Sequence, residues 1–270
     1  MNSQKRLRGR PKSFYDNSAQ NRIQALDRAL DVLNCLAEKS GMTLTEIAEK
    51  LDQSPATIYR VLATFEARQA VEMDPASQEW FIGPTSFRLG SAFLRRTGVV
   101  ERARPLMREL MEETGETANL GTEVSGQVMF LSQVETHENI RAFFSPGTIS
   151  PMHASGIGKA LLAHAEQSVI DKYVAQENLA SFTDKTISDK DGLRDELAKI
   201  KAQGYAFDNE EKNIGMRCIA APVFNYYGEA VAGISISGPT IRLSLDRIDL
   251  VSKMVMKKAA TLSKSLGLGS

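Results

Sequence analysis

The groups best able to bind a small anion lie at one helix start and on one strand in the second half of the chain. Ser155-Gly156-Ile157-Gly158 begins a helix whose first N–H groups have no partner within the helix, and its glycines let a ligand approach the backbone. Such a turn suits a carboxylate, but a helix cap with glycines for close packing explains the same residues equally well. Ser235 and Ser237 lie two apart on a predicted strand, so their hydroxyls share one face, directed at a ligand or, more commonly, at solvent.

Two other reactive side chains have ordinary explanations as well. Cys218 lies on a predicted strand, where a cysteine is usually a small core residue. Asp208 ends a predicted strand, where a carboxylate is usually solvated. Residue type alone therefore marks neither of them as part of a site.

The patterns typical of enzymes, cofactors and metal sites are not met. Gly156-Ile157-Gly158-Lys159 resembles part of a phosphate-binding loop, but His153 and Ala160 occupy positions that need Gly and Ser or Thr. A thiol nucleophile at Cys218 with His153 as its base has no identifiable orienting partner. The three histidines lack metal-ligand spacing. We therefore expect no enzyme, no cofactor and no metal, with a small-molecule hydrolase carrying a helical appendage as the weaker alternative.

The composition is that of an ordinary globular protein. The chain has 270 residues, 42% hydrophobic and 24% charged, enough for two domains. Its 33 Lys plus Arg balance 33 Asp plus Glu, which excludes a histone-like polycation but not a local basic patch. Two cysteines exclude a disulfide framework, and no apolar stretch approaches the ~20 residues of a membrane span. We expect a soluble cytoplasmic protein without membrane contact.

Hydrophobic periodicity and turn residues divide the chain into two parts that must position these groups. The first part predicts helices over 23–38, 43–51, 55–68 and 85–96 and strands over 70–73 and 79–82. The apolar stripe of its first helix contains Ile23, Leu26, Leu30, Leu33 and Ala37. The second part predicts an α+β domain. Its helices are expected over 99–114, 157–164, 193–203 and 246–266, and its strands over 118–124, 127–134, a run ending at 144, 205–208, 217–224 and 230–237.

Three short helices followed by a hairpin are typical of a winged helix-turn-helix. Ser54 is a good N-cap and Pro55 fits the first helical position, so this helix start can meet a phosphate. On the polar face, Thr57 and Tyr59 can donate to phosphate, and Arg60 can reach a phosphate or a guanine edge. A small helical bundle with polar residues outside fits the same pattern.

The first twenty residues predict a flexible basic arm, with five basic side chains against one acidic, a net charge of +4. Arg8 and Arg10 flank a glycine ahead of an extending proline, which fits a narrow A·T-rich minor groove and resembles the core of an AT-hook. An incidental basic tail explains the motif nearly as well. Beside a helix-turn-helix, however, the arm favours double-stranded DNA as the partner.

Six segments carry a recognisable pattern: residues 44–48 and 54–62 in the first part, and 152–160, 208–211, 215–222 and 234–239 in the second. In sequence and order they resemble the IclR family of bacterial transcription regulators. The resemblance implies a winged helix-turn-helix at 21–83, a linker helix at 84–97, and a GAF-like effector domain with an antiparallel sheet and flanking helices at 98–270. It also implies a homodimer or dimer of dimers whose affinity for a DNA operator changes when a small metabolite binds. An architectural DNA binder without a ligand is the alternative.

The resemblance is to the glyoxylate-responsive members of the family in particular. It implies that the effector meets the backbone N–H groups of Gly156 and Ile157 and the side chains of Asp208, Cys218, Ser235 and Ser237. Helix N–H groups and serine hydroxyls would donate to a carboxylate, and Asp208 would accept from the O–H of hydrated glyoxylate. This chemistry favours a two- or three-carbon oxo acid over a bulky aromatic acid, which needs more open space. The Ile157 side chain either narrows the pocket or packs elsewhere.

Overall fold

The structure, a computed structural model, describes residues 23–39, 41–175 and 179–269, with the backbone alone for residues 93–97. It divides at Phe93/Leu94 into two compact units. The predicted arm, with Arg8 and Arg10, lies outside the described residues. Among the described helices, none is long and apolar enough to cross a membrane.

The first unit is a winged helix-turn-helix. Its elements are α1 (Gln24–Ala37), β1 (Met42–Thr43), α2 (Leu44–Lys50), α3 (Pro55–Glu66), β2 (Val71–Met73), β3 (Glu79–Ile82) and the start of α4 (Pro84–Thr97). The hairpin β2–β3 is the predicted one, and two-residue β1 adds a third strand, giving the order β1-β3-β2. A capping box starts α2, where Thr43 accepts from the N–H of Glu46 and the Glu46 carboxylate accepts from the N–H of Thr43.

The stripe of α1 identified from the sequence is for the most part not its buried face. Ile23, Leu26 and Leu30 are each more than half exposed and Ala37 is exposed, whereas Leu33 is half-buried and packs against the core of this unit. The face that packs into the core of this unit carries Val32 and Cys35, together with Leu36. A helix with apolar residues on two sides gives a periodic signal from either side, so the pattern could not say which one is covered within a single chain.

The second unit is an α+β domain. Its elements are α5 (Val99–Thr114), β4 (Thr117–Val124), β5 (Gln127–Val134), β6 (Ile149–Pro151), α6 (Gly156–Leu162), α7 (Gln167–Val174), α8 (Lys190–Gln203), β7 (Ala206–Asn209), β8 (Met216–Phe224), β9 (Ala230–Pro239), a 3-10 turn (Leu245–Arg247) and α9 (Ile248–Ser265). The six strands form one antiparallel sheet in the order β6-β5-β4-β9-β8-β7. The predicted α+β class, with its antiparallel sheet and flanking helices, is confirmed.

Three elements of this unit differ from the sequence prediction. The run expected to end at Phe144 is not a strand, and the next strand after β5 is β6. Phe144 instead lies in irregular backbone, where its ring stacks on Phe130 with centroids 4.5 Å apart. Helix α7 was not predicted, and the final helix begins with a 3-10 turn before α9.

Both faces of the sheet are covered, which creates the interior of this unit. Helix α6 lies against one face, where Ile157 fits over Gly121 and Gly233: a Cβ at Gly233 would come within 2.7 Å of Ile157 Cγ2. The alternate strand residues, such as Ile219 and Ile236, are also fully buried. They face α5 and α9, which contact each other and the same strands. Side chains on the α6 face therefore point into the interior between the sheet and α6.

Candidate functional site

The N-cap and first two turns of α3 carry the predicted DNA-binding residues of the first unit. Ser54 caps the helix, accepting from the N–H of Thr57 at 3.2 Å, and its hydroxyl lies 2.9 Å from that of Thr57. Tyr59 is 56% exposed, and Arg60 is exposed as well. Arg60 takes part in no ion pair within the described ranges. The turn thus presents a helix start, hydroxyl groups and an uncommitted guanidinium on one surface.

The second unit contains a cavity of about 220 Å³ between the sheet and α6. Five of the six predicted effector residues line it: Gly156, Ile157, Asp208, Cys218 and Ser237. Ser235, two residues before Ser237 on β9, is buried and is not part of the lining. The structure therefore brings together residues that lie up to 81 positions apart in the sequence, from 156 to 237.

Strand pairing explains how the polar side chains come to lie side by side. Asp208 of β7 pairs with Cys218 of β8, and Cys218 pairs with Ser237 of β9. In an antiparallel sheet, directly paired residues point to the same face, so these three side chains form one row across three strands. Ser235, two residues from Ser237, belongs to the adjacent row on the same face.

The start of α6 is held closely against this row. Ser155 is its N-cap, and its hydroxyl accepts from the N–H of Gly158 at 3.4 Å. A Cβ at Gly156 would lie 2.8 Å from Cys218 Sγ, and a Cβ at Gly158 would lie 2.4 Å from backbone atoms of Met152. Glycine is therefore required for close approach at both positions. Within the described residues, the N–H groups of Gly156 and Ile157 have no hydrogen-bond partner, so they are available to a ligand.

The Ile157 side chain packs instead of closing the cavity. It is 1% exposed and fits against Gly121 and Gly233 of the sheet. Ile157 also lines the cavity, so its side chain packs into the core next to the site.

Asp208 is a carboxyl group whose charge is costly in this place. Burial raises the pKa of Asp208 to about 6, opposed by a hydrogen bond from the N–H of Glu211 at 2.8 Å and by the nearby ammonium groups of Lys159 and Lys212. Near neutral pH it is therefore mostly ionised and able to accept a hydrogen bond, but close to its titration range.

The Cys218 thiol differs from Asp208 in its protonation state near neutral pH. Burial, with the nearby Asp208 charge, raises the pKa of the Cys218 thiol to about 11, while the hydroxyls of Ser237 and Ser235 act in the lowering direction because they can donate to the sulfur. The thiol stays protonated at neutral pH, so it is a packing and contact group and not a nucleophile.

Behind Asp208 lies a buried charge cluster centred on Lys159. Its ammonium donates to Glu211 at 2.5 Å, to the carbonyl of Phe207 at 2.8 Å and to Glu196 at 3.1 Å. Burial raises the pKa of Glu211 to about 7, and its second oxygen, Oε2, has no hydrogen-bond partner within the described residues. The cluster ties α6 to α8 and to the loop after β7.

The sequence did not point to several residues in and around the cavity. Lys212 lines it and donates to the hydroxyl of Ser150 at 2.7 Å, and burial lowers the pKa of that ammonium. The stacked rings of Phe130 and Phe144 form an apolar part of the wall. Lys212 directly follows the 208–211 segment, and that adjacency was the one available signal.

Two amide side chains lie behind the serines. Asn119 of β4 is fully buried and donates to Ser237 Oγ at 3.2 Å and to Ser235 Oγ at 3.5 Å. Gln133 of β5 donates to Asn119 Oδ1 at 2.9 Å. Neither amide lines the cavity. A polar residue between Ala118 and Leu120 in a strand was the only hint available in the sequence.

The pairing of Cys218 with His153 considered for a hydrolase is not formed. Both ring nitrogens of His153 are engaged elsewhere, Nδ1 with the Tyr173 hydroxyl at 3.0 Å and Nε2 with the carbonyl of Ala180 at 2.9 Å. His153 also does not line the cavity. Across the described ranges, no cluster of three or more His, Cys, Asp or Glu side chains is arranged to hold a metal ion.

Comparison with known proteins matches both units. Residues 25–75 match the description "IclR helix-turn-helix domain", and residues 91–264 match "Bacterial transcriptional regulator IclR C-terminal". The chain is 55% identical to the HTH-type transcriptional regulator BhcR of Paracoccus denitrificans (strain Pd 1222), over 97% of this chain and 95% of the relative. It is 34% identical to the transcriptional repressor IclR of Escherichia coli (strain K12), over 96% of each. The crystal structure of the Thermotoga maritima IclR superposes with a TM-score of 0.75 and 28% identity, covering 91% of this chain and all of that one.

Proposed function

The chain belongs to the IclR family of bacterial transcriptional regulators, and we propose that a small 2-oxo acid, glyoxylate first, binds the cavity of its second unit and changes its affinity for a DNA operator. The relatives that it matches are transcriptional regulators and not enzymes. What remains to be assigned within the family is the effector, the residues that hold it and the assembly that binds DNA.

The observation that carries the proposal is that the polar row Asp208, Cys218 and Ser237 lines the same cavity as Gly156 and Ile157, whose N–H groups are free within the described residues. The N–H groups and the serine hydroxyl are donors, which suit a carboxylate. Asp208 is an acceptor when ionised, which suits an effector that carries its own O–H next to the carboxylate, as hydrated glyoxylate does. Ser235, in the adjacent row on the same face, adds a second hydroxyl group next to Ser237. A regulator of glyoxylate assimilation, such as one for the β-hydroxyaspartate cycle, is the narrower form of the same proposal.

A second effector class has one observation in its favour. The stacked rings of Phe130 and Phe144 give the cavity an apolar wall, against which an aromatic acid would pack. Such a ligand would keep its carboxylate at the Gly156 end and place its ring by the two phenylalanines. Pyruvate is the third candidate, as a small oxo acid that carries a methyl group in place of the aldehyde hydrogen.

For DNA binding we propose that Ser54, Thr57, Tyr59 and Arg60 contact the operator from the start of α3, and that Arg8 and Arg10 enter the neighbouring minor groove. The assembly would be a homodimer, or a dimer of dimers, reading half-sites about one helical turn or a multiple of it apart. The exposed stripe of Ile23, Leu26 and Leu30 on α1 supports contact with a second copy, because a soluble chain rarely leaves such a row in water. Effector binding would act on half-site spacing through α4, with a coupling of ~1–3 kcal/mol.

Titration calorimetry with glyoxylate, pyruvate, oxalate and protocatechuate tests the effector assignment. We expect saturable binding of glyoxylate that Asp208→Ala abolishes and that Asp249→Ala, a change at an exposed carboxylate on α9, leaves intact. Binding of protocatechuate in preference to glyoxylate would replace the oxo acid by the aromatic class. Turnover of any of these acids would revive the hydrolase alternative, and no effect of any of them on operator affinity would leave an architectural DNA binder.

A further inference from the structure

The two serines of the candidate site are backed by a chain of amides. Gln133 donates through Nε2 to Asn119 Oδ1 at 2.9 Å, and Asn119 donates through Nδ2 to Ser237 and Ser235. The four residues lie on the α6 face of three neighbouring strands, since Asn119 pairs directly with Ser235 on one side and with Gln133 on the other. This series of hydrogen bonds begins at the half-buried Gln133 and ends at Ser237 in the cavity wall.

The direction of these hydrogen bonds fixes what the serines can do. Each serine oxygen accepts from the same Asn119 N–H₂ group, so neither hydroxyl can donate its own proton back to that nitrogen. The two protons therefore turn away from Asn119 Nδ2, and Cys218 of β8 lies on the opposite side of β9 from Asn119. Both hydroxyls act to lower the pKa of the Cys218 thiol, which agrees with that direction.

The opposite orientation of the Asn119 amide would exchange hydrogen-bond donors for acceptors at the site. With Oδ1 facing the serines, both hydroxyls would donate to it and present lone pairs to the cavity. A carboxylate would then meet acceptors in place of donors and lose those hydrogen bonds. In the structure the Gln133 N–H₂ group faces Asn119, so a reversed Asn119 amide would place Nδ2 against another donor unless Gln133 reversed as well.

We propose that Asn119 is a positioning residue that turns the hydroxyl protons of Ser235 and Ser237 away from β4, that of Ser237 towards a bound acid, and that Gln133 sets the orientation of Asn119. The pair selects ligands by hydrogen-bond polarity, favouring a carboxylate over a group that donates. This inference rests on the proposed binding of a small oxo acid in this cavity, and it adds two residues that do not touch the ligand.

A substitution at Gln133, the half-buried end of this series of hydrogen bonds, can force the Asn119 amide to reverse. Gln133→Glu at pH 8 places an ionised carboxylate, which only accepts, opposite Asn119. The amide should rotate so that Nδ2 donates to the new carboxylate and Oδ1 faces the serines. Gln133→Met removes the donor without adding an acceptor, so Asn119 would be free to adopt either orientation.

The experiment measures the affinities of glyoxylate and its neutral amide, glyoxylamide, for the full-length wild type and both variants by calorimetry. We expect the ratio of glyoxylate to glyoxylamide affinity to fall at least tenfold in Gln133→Glu at pH 8, and by a smaller factor in Gln133→Met. A merely structural defect would weaken both ligands alike and leave the ratio unchanged.

The outcomes distinguish the positioning role from the effector assignment. An unchanged ratio in Gln133→Glu, with glyoxylate bound by the wild type, overturns the positioning role and leaves the proposed effector standing. If Gln133→Glu does not fold, the ratio in Gln133→Met decides the question in the same way. A wild-type protein that binds neither ligand overturns the proposed effector and this inference with it.

Discussion

The Lys159 ammonium lies 2.5 Å from Oε1 of Glu211, and the lysine side chain has no exposed surface. Glu196 and the carbonyl of Phe207 complete its surroundings. Burial alone would favour the neutral amine, but the two carboxylates outweigh it and raise the pKa of Lys159 above its ordinary value. The charge is therefore kept inside the protein, next to the loop that carries Asp208.

Removing that charge should be costly. We expect Lys159→Met to lower the free energy of unfolding by about 3–5 kcal/mol, because it leaves Glu211 and Glu196 without their counter-charge in a buried place. Urea denaturation measures the change. The double variant Lys159→Met/Glu211→Gln should recover part of the loss, whereas Lys253→Met, at an exposed lysine on α9, should have little effect. A Lys159→Met protein as stable as the wild type would contradict this account of the cluster.

Effector affinity should depend on pH through Asp208. Its pKa of about 6 lies above that of an ordinary aspartate, and the proposed contact uses the ionised form. As the pH falls through 6, the protein must release a proton to bind, so glyoxylate affinity should be about tenfold weaker at pH 5 than at pH 7.5. Calorimetry at a series of pH values checks this, with Asp208→Asn expected to flatten the profile. Affinity that rises on acidification would mean that the protonated carboxyl donates to the ligand.

The close contact between Gly156 and Cys218 gives a double-mutant test. Gly156→Ala places a methyl group about 2.8 Å from Sγ, and this overpacking should destabilise the protein by about 1–3 kcal/mol. Truncating the sulfur as well, in Gly156→Ala/Cys218→Ala, should recover at least half of that loss relative to Cys218→Ala alone. Urea denaturation of the four proteins measures the coupling. Additive losses would show that the methyl group is accommodated in some other way.

Operator binding should depend on Arg60 and not on the cavity. We expect Arg60→Ala to weaken operator binding by about 1–3 kcal/mol, or roughly 5- to 150-fold, if it contacts a guanine edge. Glyoxylate binding should be unchanged, and Asp208→Ala should show the reverse pattern. Fluorescence anisotropy with labelled operator DNA measures the effect, with Arg194→Ala on α8 as the charge-matched control. Equal loss of both activities in each variant would argue against separate DNA and effector sites.

Removal of residues 1–20 tests the basic arm. We expect weaker operator binding and a shallower dependence of log affinity on log salt concentration, by ~0.9 for each phosphate that the arm neutralises. Replacing Arg8 and Arg10 by lysine should largely preserve the salt slope while reducing any preference for A·T-rich flanks. Identical salt slopes for the full-length and truncated proteins would leave the arm without a role in binding.

Helix starts were predictable because their signals are local. Ser54 before Pro55, and Ser155 before two glycines, cap the helices that the sequence indicated, each through a hydrogen bond to an N–H three residues on. The hairpin β2–β3 follows from its turn residues in the same way. Three-residue β6 gives too little periodicity to be found.

The rest of the site depends on contacts between distant parts of the chain. Nothing within 117–124 says that Asn119 faces Ser235, since that pairing joins residues 116 positions apart. Lys159 in a short helix would ordinarily be assigned to the surface, and its burial depends on Glu196 and Glu211, which lie 37 and 52 positions away. Family resemblance supplied the polar row, but not the amides behind it or Lys212 beside it.

The complete burial of α6 has a consequence for the thermodynamics of recognition. All seven of its residues are buried, and Ile157 and Gly158 fit tightly against the sheet and Met152. The two N–H groups proposed to meet the effector are thus held in place before any ligand arrives. Little conformational entropy remains to be lost there, so even an acid of a few heavy atoms can retain most of the enthalpy of its hydrogen bonds as binding free energy.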